Sequence, residues 1–268
     1  MVTGFQYASR AMVGAREGQE DNCQFAVISP AGGGTVPLER RPVARAGTLL
    51  AVLADGMGGH VGGAEASTIA CSSFVSAYQD ASGPERTRLA AALDTANRAI
   101  SAALTQDSAL QGMGCTLVGA AFTDQGLWWV SVGDSPLLLF RDQKLYQLNE
   151  DHSLAPLLDR LAANGEMTLA EAESDPRRHH LRAALTGDGI ELVDLSAAVV
   201  ALQVGDVLLL ASDGLEVLAH AEMADLLAAR AGDKPEDLVI ALLAAVSAKR
   251  AANQDNVTVM AVKPVFDR

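Results

Sequence analysis

The chain predicts an α+β fold in which antiparallel sheets carry helices on their outer faces. Three observations predict it. Short apolar runs bounded by Gly or Asp recur along the sequence, as strands require. Four other stretches carry apolar residues at i, i+3, i+4 spacing, the pattern of helices with one buried face. Strands and helices come in blocks rather than in βαβ alternation, so neighbouring strands pair through hairpins. Nothing repeats at 20–50 residues and no Ser/Pro-rich linker divides the chain, so residues 1–268 are expected to form one domain.

The elements follow in order. Gln6–Ala11 and Asn22–Ser29 read as strands. Pro30–Gly47 reads as a long hairpin loop leading to the apolar strand Thr48–Ala54. Ala66, Ile69, Ala70, Phe74 and Ala77 share one helix face. Leu89, Leu93, Ala96, Ile100 and Leu104 share another, with Pro84 at its start. Strands are expected at Cys115–Thr123, Leu127–Val132 and Leu137–Arg141. Asp151–Gly189 is mixed, with a short helix at Ser153–Ala163, two prolines and the cluster Arg177-Arg178-His179-His180. Strands at Val193–Leu202 and Val207–Ala211, helices at Glu222–Ala231 and Pro235–Arg250, and a strand at Asn256–Val262 close the chain.

Composition removes several functions. With 20 Lys+Arg against 33 Asp+Glu the formal net charge is −13, which repels nucleic-acid phosphates and anionic lipid. The longest apolar run, Leu238–Val246, has nine residues, where a bilayer span needs about 20. No secretory signal is visible at the N-terminus, and the three cysteines lack metal-ligand spacing. A cytoplasmic protein with reduced thiols is expected.

The acids stand at strand ends. Thr48–Ala54 stops at Asp55-Gly56, Val207–Ala211 at Ser212-Asp213-Gly214, and Leu127–Val132 at Gly133-Asp134. Asp255 precedes the last strand, and Glu20-Asp21 precedes Asn22–Ser29. Any one of them reads more readily as a turn former. Converging, they would concentrate negative charge that a cation must neutralise. Oxygen-only donors suit Mg²⁺ or Mn²⁺, and two such ions can activate water against a phosphoryl group. Arg16, four residues before Glu20, is placed to grip phosphate oxygens.

In family order, the segments GAREGQEDN (Gly14–Asn22), LADGMGGH (Leu53–His60), GMGCT (Gly112–Thr116), VGDS (Val132–Ser135), EDHSL (Glu150–Leu154), LLLASDGL (Leu208–Leu215) and NQDNVTV (Asn253–Val259) span nearly the whole chain. The chain thereby resembles the PPM (type 2C) metal-dependent protein serine/threonine phosphatases in their compact bacterial form. The resemblance implies a four-layer αββα sandwich, two antiparallel sheets flanked by helix pairs, with a dinuclear metal site at one edge. It implies Asp55 as the carboxylate bridging two Mn²⁺ or Mg²⁺ ions, Asp213 and Asp255 on the first ion, and Glu20 and the Gly56 carbonyl on the second. Asp21 would orient the attacking water, Arg16 would bind phosphate, and Asp134 with Asp213 would hold a third, weaker ion. Residues 151–189 would be a flap that selects substrate.

The sequence departs from the family pattern at Gln19, Cys115, Pro136 and Met57. Met57 stands where some members carry a general-acid histidine, and His60 is the nearest substitute. The resemblance implies direct hydrolysis of phosphoserine and phosphothreonine in proteins, substrates of a serine/threonine kinase, by a monomer. The rival readings are a catalytically silent regulatory module, which would lack ligands, and a small-phosphoester hydrolase, which would need a closed pocket.

Overall fold

The computed structural model describes residues 1–28, 47–58 and 60–267. The expected Pro30–Gly47 loop lies outside the described residues except for Gly47. Strands β1 (Val2–Met12), β2 (Asn22–Ile28), β3 (Thr48–Ala54) and β4 (Gly56–Met57) precede helices α1 (His60–Asp80) and α2 (Glu85–Gln106). Next come β5 (Gly114–Cys115), β6 (Leu117–Phe122), β7 (Leu127–Val132), β8 (Leu137–Arg141) and β9 (Lys144–Gln147). Helices α3 (Ala155–Ala163) and α4 (Leu169–Ser174) lie in the mixed stretch. Strands β10 (Asp194–Leu195) and β11 (Val207–Ala211), helices α5 (His220–Ala229) and α6 (Pro235–Lys249), and β12 (Val257–Phe266) follow.

Two five-stranded antiparallel sheets result, ordered β1-β12-β11-β8-β9 and β10-β7-β6-β3-β2. The period-2 alternation of β3 shows how they stack. Leu49, Ala51 and Leu53 face the opposite sheet, packed with Phe5, Phe122, Leu208 and Met260. Leu50, Val52 and Ala54 face α1 and α2, packed with Phe74, Leu89 and Ile100. All seven β3 residues are buried, so the strand reads as a continuous apolar run. On the other sheet Leu209, Val259 and Ala261 turn outward onto Leu227, Leu238 and Leu242 of α5 and α6. The four layers are therefore helices, sheet, sheet, helices.

The structure corrects several element boundaries. The expected strand Cys115–Thr123 is two strands broken at Thr116, whose hydroxyl accepts a hydrogen bond from the Asp55 N–H at 3.1 Å. Val193–Leu202 shrinks to β10 and a single bridge between Leu127 and Val200. That run lies on a sheet edge with Val193 and Val199 exposed, so its apolar residues do not report pairing. β9 was missed because its residues are mostly polar and exposed. It joins β8 through Asp142-Gln143, both at positive φ, a two-residue type I′ geometry without the usual glycine. α4 was missed too, although Thr168 and Glu171 form a reciprocal capping box at its start.

Residues 151–189 lie against the sandwich and are tied down at both ends. At the start, buried His152 accepts a hydrogen bond from the Gly133 N–H through Nδ1 at 3.2 Å, and its own N–H donates to the Gly133 carbonyl at 3.1 Å. At the end, Asn97 of α2 donates to the Asp188 carbonyl at 2.6 Å and accepts from the Gly187 N–H at 2.9 Å. Between them Leu185 pairs with Cys115 of β5, through backbone bonds of 2.8 and 3.0 Å.

Candidate metal centre

Antiparallel pairing brings the acids together. β2 starts where β3 ends, with Asn22 opposite Ala54, so Glu20-Asp21 meets Asp55. β12 starts where β11 ends, so Asp255 meets Asp213. β1 ends opposite the start of β12, with Met12 across from Val257, and carries Arg16 to Asp255. β7 ends beside the start of β6, next to β3, and delivers Asp134. Arg16, Glu20, Asp55, Gly56, Asp134, Asp213 and Asp255 consequently line one cleft of about 900 Å³. Asp21 lies buried behind them. His60 opens α1, but its side chain lies outside the described residues.

Gly56 and Gly14 are required by close approach. A Cβ on Gly56 would stand 2.2 Å from the Gly63 carbonyl oxygen and 2.5 Å from that of Glu20. Gly14, at φ +69°, would press a Cβ to 2.3 Å from the Asp255 carbonyl oxygen. Both clashes are with backbone, which cannot swing aside.

The electrostatics are those of crowded, half-buried carboxylates. Burial, then Asp21, Asp213, Asp134 and Asp255, pushes the Asp55 carboxyl well above its ordinary range. Burial, then Asp213, Asp151 and Glu216, pushes Asp134 up to about 8. Burial, then Asp255, raises Asp213, while His179 and Arg16 pull it back. Burial raises Asp21, against the hydrogen bond it accepts at Oδ2 from Ser212 at 2.8 Å. Its other oxygen, Oδ1, is buried without a hydrogen-bond partner among the described residues. Arg16 forms an ion pair with Asp255. Glu216, exposed beside the cluster, is raised as well, where the neighbouring Asp151 and Asp213 charges are a firmer cause than burial.

These residues fit hard divalent cations. The donors are all oxygens, they repel one another, and one buried carboxylate oxygen lacks a partner. Among the described residues no group of three or more Asp, Glu, His or Cys side chains is placed to hold an ion.

Two supports escaped the sequence reading. Buried Asn256 donates to the Val13 and Gly18 carbonyls at 2.7 and 2.9 Å and accepts from the Glu20 N–H at 2.7 Å. It thereby shapes the loop that carries Arg16 and Glu20. Thr116 shares a 2.7 Å hydrogen bond with Ser135 and holds the Asp55 backbone. The signal for Asn256 was its place inside a recognised motif, next to an acid and before a buried strand.

The protein phosphatase 2C profile matches residues 42–255, most of the chain. The chain belongs to the protein phosphatase 2C family. It is 35% identical over 227 residues to the protein phosphatase PhpP of Streptococcus pneumoniae, covering 82% of this chain and 87% of that one. The crystal structure of the Mycobacterium tuberculosis serine/threonine phosphatase PstP/Ppp superposes with a TM-score of 0.76 at 28% identity, covering 97% of this chain and 98% of that one. The catalytic domain of PstP, solved in complex with two manganese ions, superposes at 0.73 with 27% identity over 98% of this chain and 99% of that one. As a protein phosphatase 2C, the chain is a metal-dependent protein serine/threonine phosphatase. Its αββα sandwich is the one expected for that family. No helix among the described residues is long and apolar enough to cross a membrane.

Proposed function

We propose that this protein phosphatase 2C hydrolyses phosphoserine and phosphothreonine at the carboxylate end of the cleft, and that its own acids hold two Mn²⁺ or Mg²⁺ ions there. Asp55 contacts both ions, Asp213 and Asp255 hold the first, and Glu20 and the Gly56 carbonyl hold the second. Asp134 with Asp213 takes a third, weaker ion. When bound, the ions supply a water activated for attack on phosphorus and neutralise the phosphoryl oxygens. Arg16, already within ion-pair reach of Asp255, orients the phosphate through its two-pronged guanidinium. Asp21, with its unpaired buried oxygen, orients the attacking water. His60 hands a proton to the departing serine or threonine oxygen. Residues 151–189 act as the flap, and the enzyme works as a cytoplasmic monomer on proteins phosphorylated by a serine/threonine kinase.

The observation that carries this reading is the convergence of acids from separate strand ends on one cleft, with carboxyls forced up by burial and by one another. The test is phosphate release from a phosphopeptide and from a small aryl phosphate, with added Mn²⁺, added Mg²⁺ or a chelator. The reading expects release only with metal. It fails if the phosphopeptide is never turned over, or if chelation changes nothing.

A further inference from the structure

Arg177 and Arg178 are the arginines of the cationic cluster in residues 151–189. The structure spends both elsewhere. Arg177 binds the two carboxylate oxygens of Asp175 at 3.0 and 2.8 Å. Arg178 binds those of Asp159 at 2.7 and 3.0 Å. Neither lines the cleft, whereas His179, His180 and Arg182 do.

Arg182 differs in each respect that matters for a ligand. It is exposed, it lines the cleft, and it has no ion-pair partner among the described residues. Its backbone is fixed relative to the acids. The Arg182 N–H donates to the His152 carbonyl at 2.8 Å, Leu154 N–H donates to the His180 carbonyl at 3.0 Å, and Leu181 bridges to Ser153. His152 in turn is bonded on both sides to Gly133, the residue before Asp134. His180 and Arg182, two residues apart, both line the cleft. A cation on a tethered backbone therefore lines the same cleft as the carboxylates, in a protein of net charge −13. Of the two arginines that line the cleft, Arg16 is paired with Asp255, which leaves Arg182 to meet an acidic residue beside the phosphoresidue.

Resting on the phosphatase reading above, we propose that Arg182, with His180 beside it, is a specificity subsite that receives an acidic side chain flanking the phosphorylated residue. The preferred substrates are then acidic phosphopeptides, and selection happens on the wall rather than at the metals.

The test uses the full chain with saturating metal and phosphopeptides that differ only in Glu or Gln on the N-terminal or the C-terminal side of phosphoserine. The expected result is that one placement of Glu raises kcat/KM about twofold to fivefold over Gln, through KM, as one exposed ion pair would. High salt should erase that gain. Arg182→Gln should remove it, Arg182→Glu should invert it, and Arg182→Lys should keep most of it. An aryl phosphate, which has no flanking residue, reports on fold and metal site in every variant. The subsite is overturned if neither placement of Glu is preferred by the parent enzyme, or if the preference survives Arg182→Gln. Equal losses on peptide and aryl phosphate would also overturn it, because Arg182 would then support the metal end. No turnover of any substrate by the parent enzyme would instead sink the phosphatase reading and the subsite with it.

Discussion

Asp55 and Arg182 line the same cleft, but the chain holds them by different means. Asp55 follows a strand with every residue buried on two faces, and its backbone is bonded to Thr116 in both directions, at 3.1 and 2.9 Å. Asp213 likewise follows a strand with all five residues buried. The wall from 151 to 189 has little of this. α3 buries only Leu158 and α4 only Ala172, while Leu157 and Leu169 stay exposed. Backbone bonds, the side chains of His152 and Asn97, surface ion pairs, and Ala183 and Leu185 packed in the helix-side core hold it. The proposed chemistry thus rests on strands buried throughout, and the proposed substrate selection on a segment that gives the core fewer residues. Changes at the acid end should act on kcat and on metal dependence. Changes on the wall should act on KM for peptides.

The largest expected effect breaks the acid end. Asp55→Asn keeps the shape of the side chain but removes the charge proposed to meet both ions. Turnover should fall by more than about 10³, beyond the loss of one preorganised hydrogen-bond donor. Steady-state rates across a Mn²⁺ titration check this, and full activity in the variant would end the case for a dinuclear site.

Arg16→Ala comes next. Its proposed task is the phosphate, so kcat/KM should fall about 10- to 100-fold, the worth of one charge-assisted hydrogen bond. The metal half-saturation should move less than KM. The ion pair with Asp255 sharpens the test. If Arg16 serves mainly to neutralise Asp255, the variant will bind metal more tightly and keep its KM.

A smaller effect reads the acid end without catalysis. Asp134, pushed up to about 8 from an ordinary 3.8, binds its proton more tightly folded than unfolded, and Asp55 and Asp213 shift in the same direction. In the chelated protein these groups contribute stability below the unfolded value of about 4, and they lose it as pH rises toward about 8. Divalent ions oppose that loss by neutralising the same carboxylates. The Tm gap between metal-loaded and chelated protein should therefore widen between about pH 5 and pH 8, by something on the order of 5 °C. A gap that stays level would mean the acids are not crowded in solution.

The acid end was also the part legible in the sequence, for a physical reason. A strand buried on both faces is nearly all apolar, so a carboxylate within two residues of its end stands out, as Asp55, Asp134 and Asp213 do. The sandwich was legible on the same ground, since β3, β6 and β11 have no exposed residue to blur the pattern. Exposed elements leave no such trace. β9 is polar and its turn uses Asp142-Gln143 at positive φ, where no glycine advertises the geometry. The break at Thr116 depends on a hydroxyl reaching Asp55, a contact 61 residues away in the chain. The pairing of Arg178 with Asp159 likewise crosses from α4's exit to α3, and a run of cations in sequence says nothing about which acids they meet.

That pairing gives the smallest expected effect and the closest test of the wall. Arg177→Gln with Arg178→Gln removes two charges from the sequence cluster but none from the cleft lining. Exposed ion pairs contribute about 0–1 kcal/mol each, so stability should drop by no more than about 2 kcal/mol. The Arg178 pair clips α3 to the chain after α4, while Arg182 is held independently by His152 and the Leu181–Ser153 bridge. Phosphopeptide kcat/KM should accordingly change by less than about twofold, and its salt dependence should stay that of the parent. The measurement is a paired salt titration of kcat/KM for parent and double variant on the same acidic phosphopeptide. A loss of tenfold or more on the peptide, with the aryl phosphate untouched, would show that the α3–α4 unit positions the selecting residues. The wall would then be one cooperative piece, and the contrast between a rigid floor and an independently anchored strap would have to be redrawn.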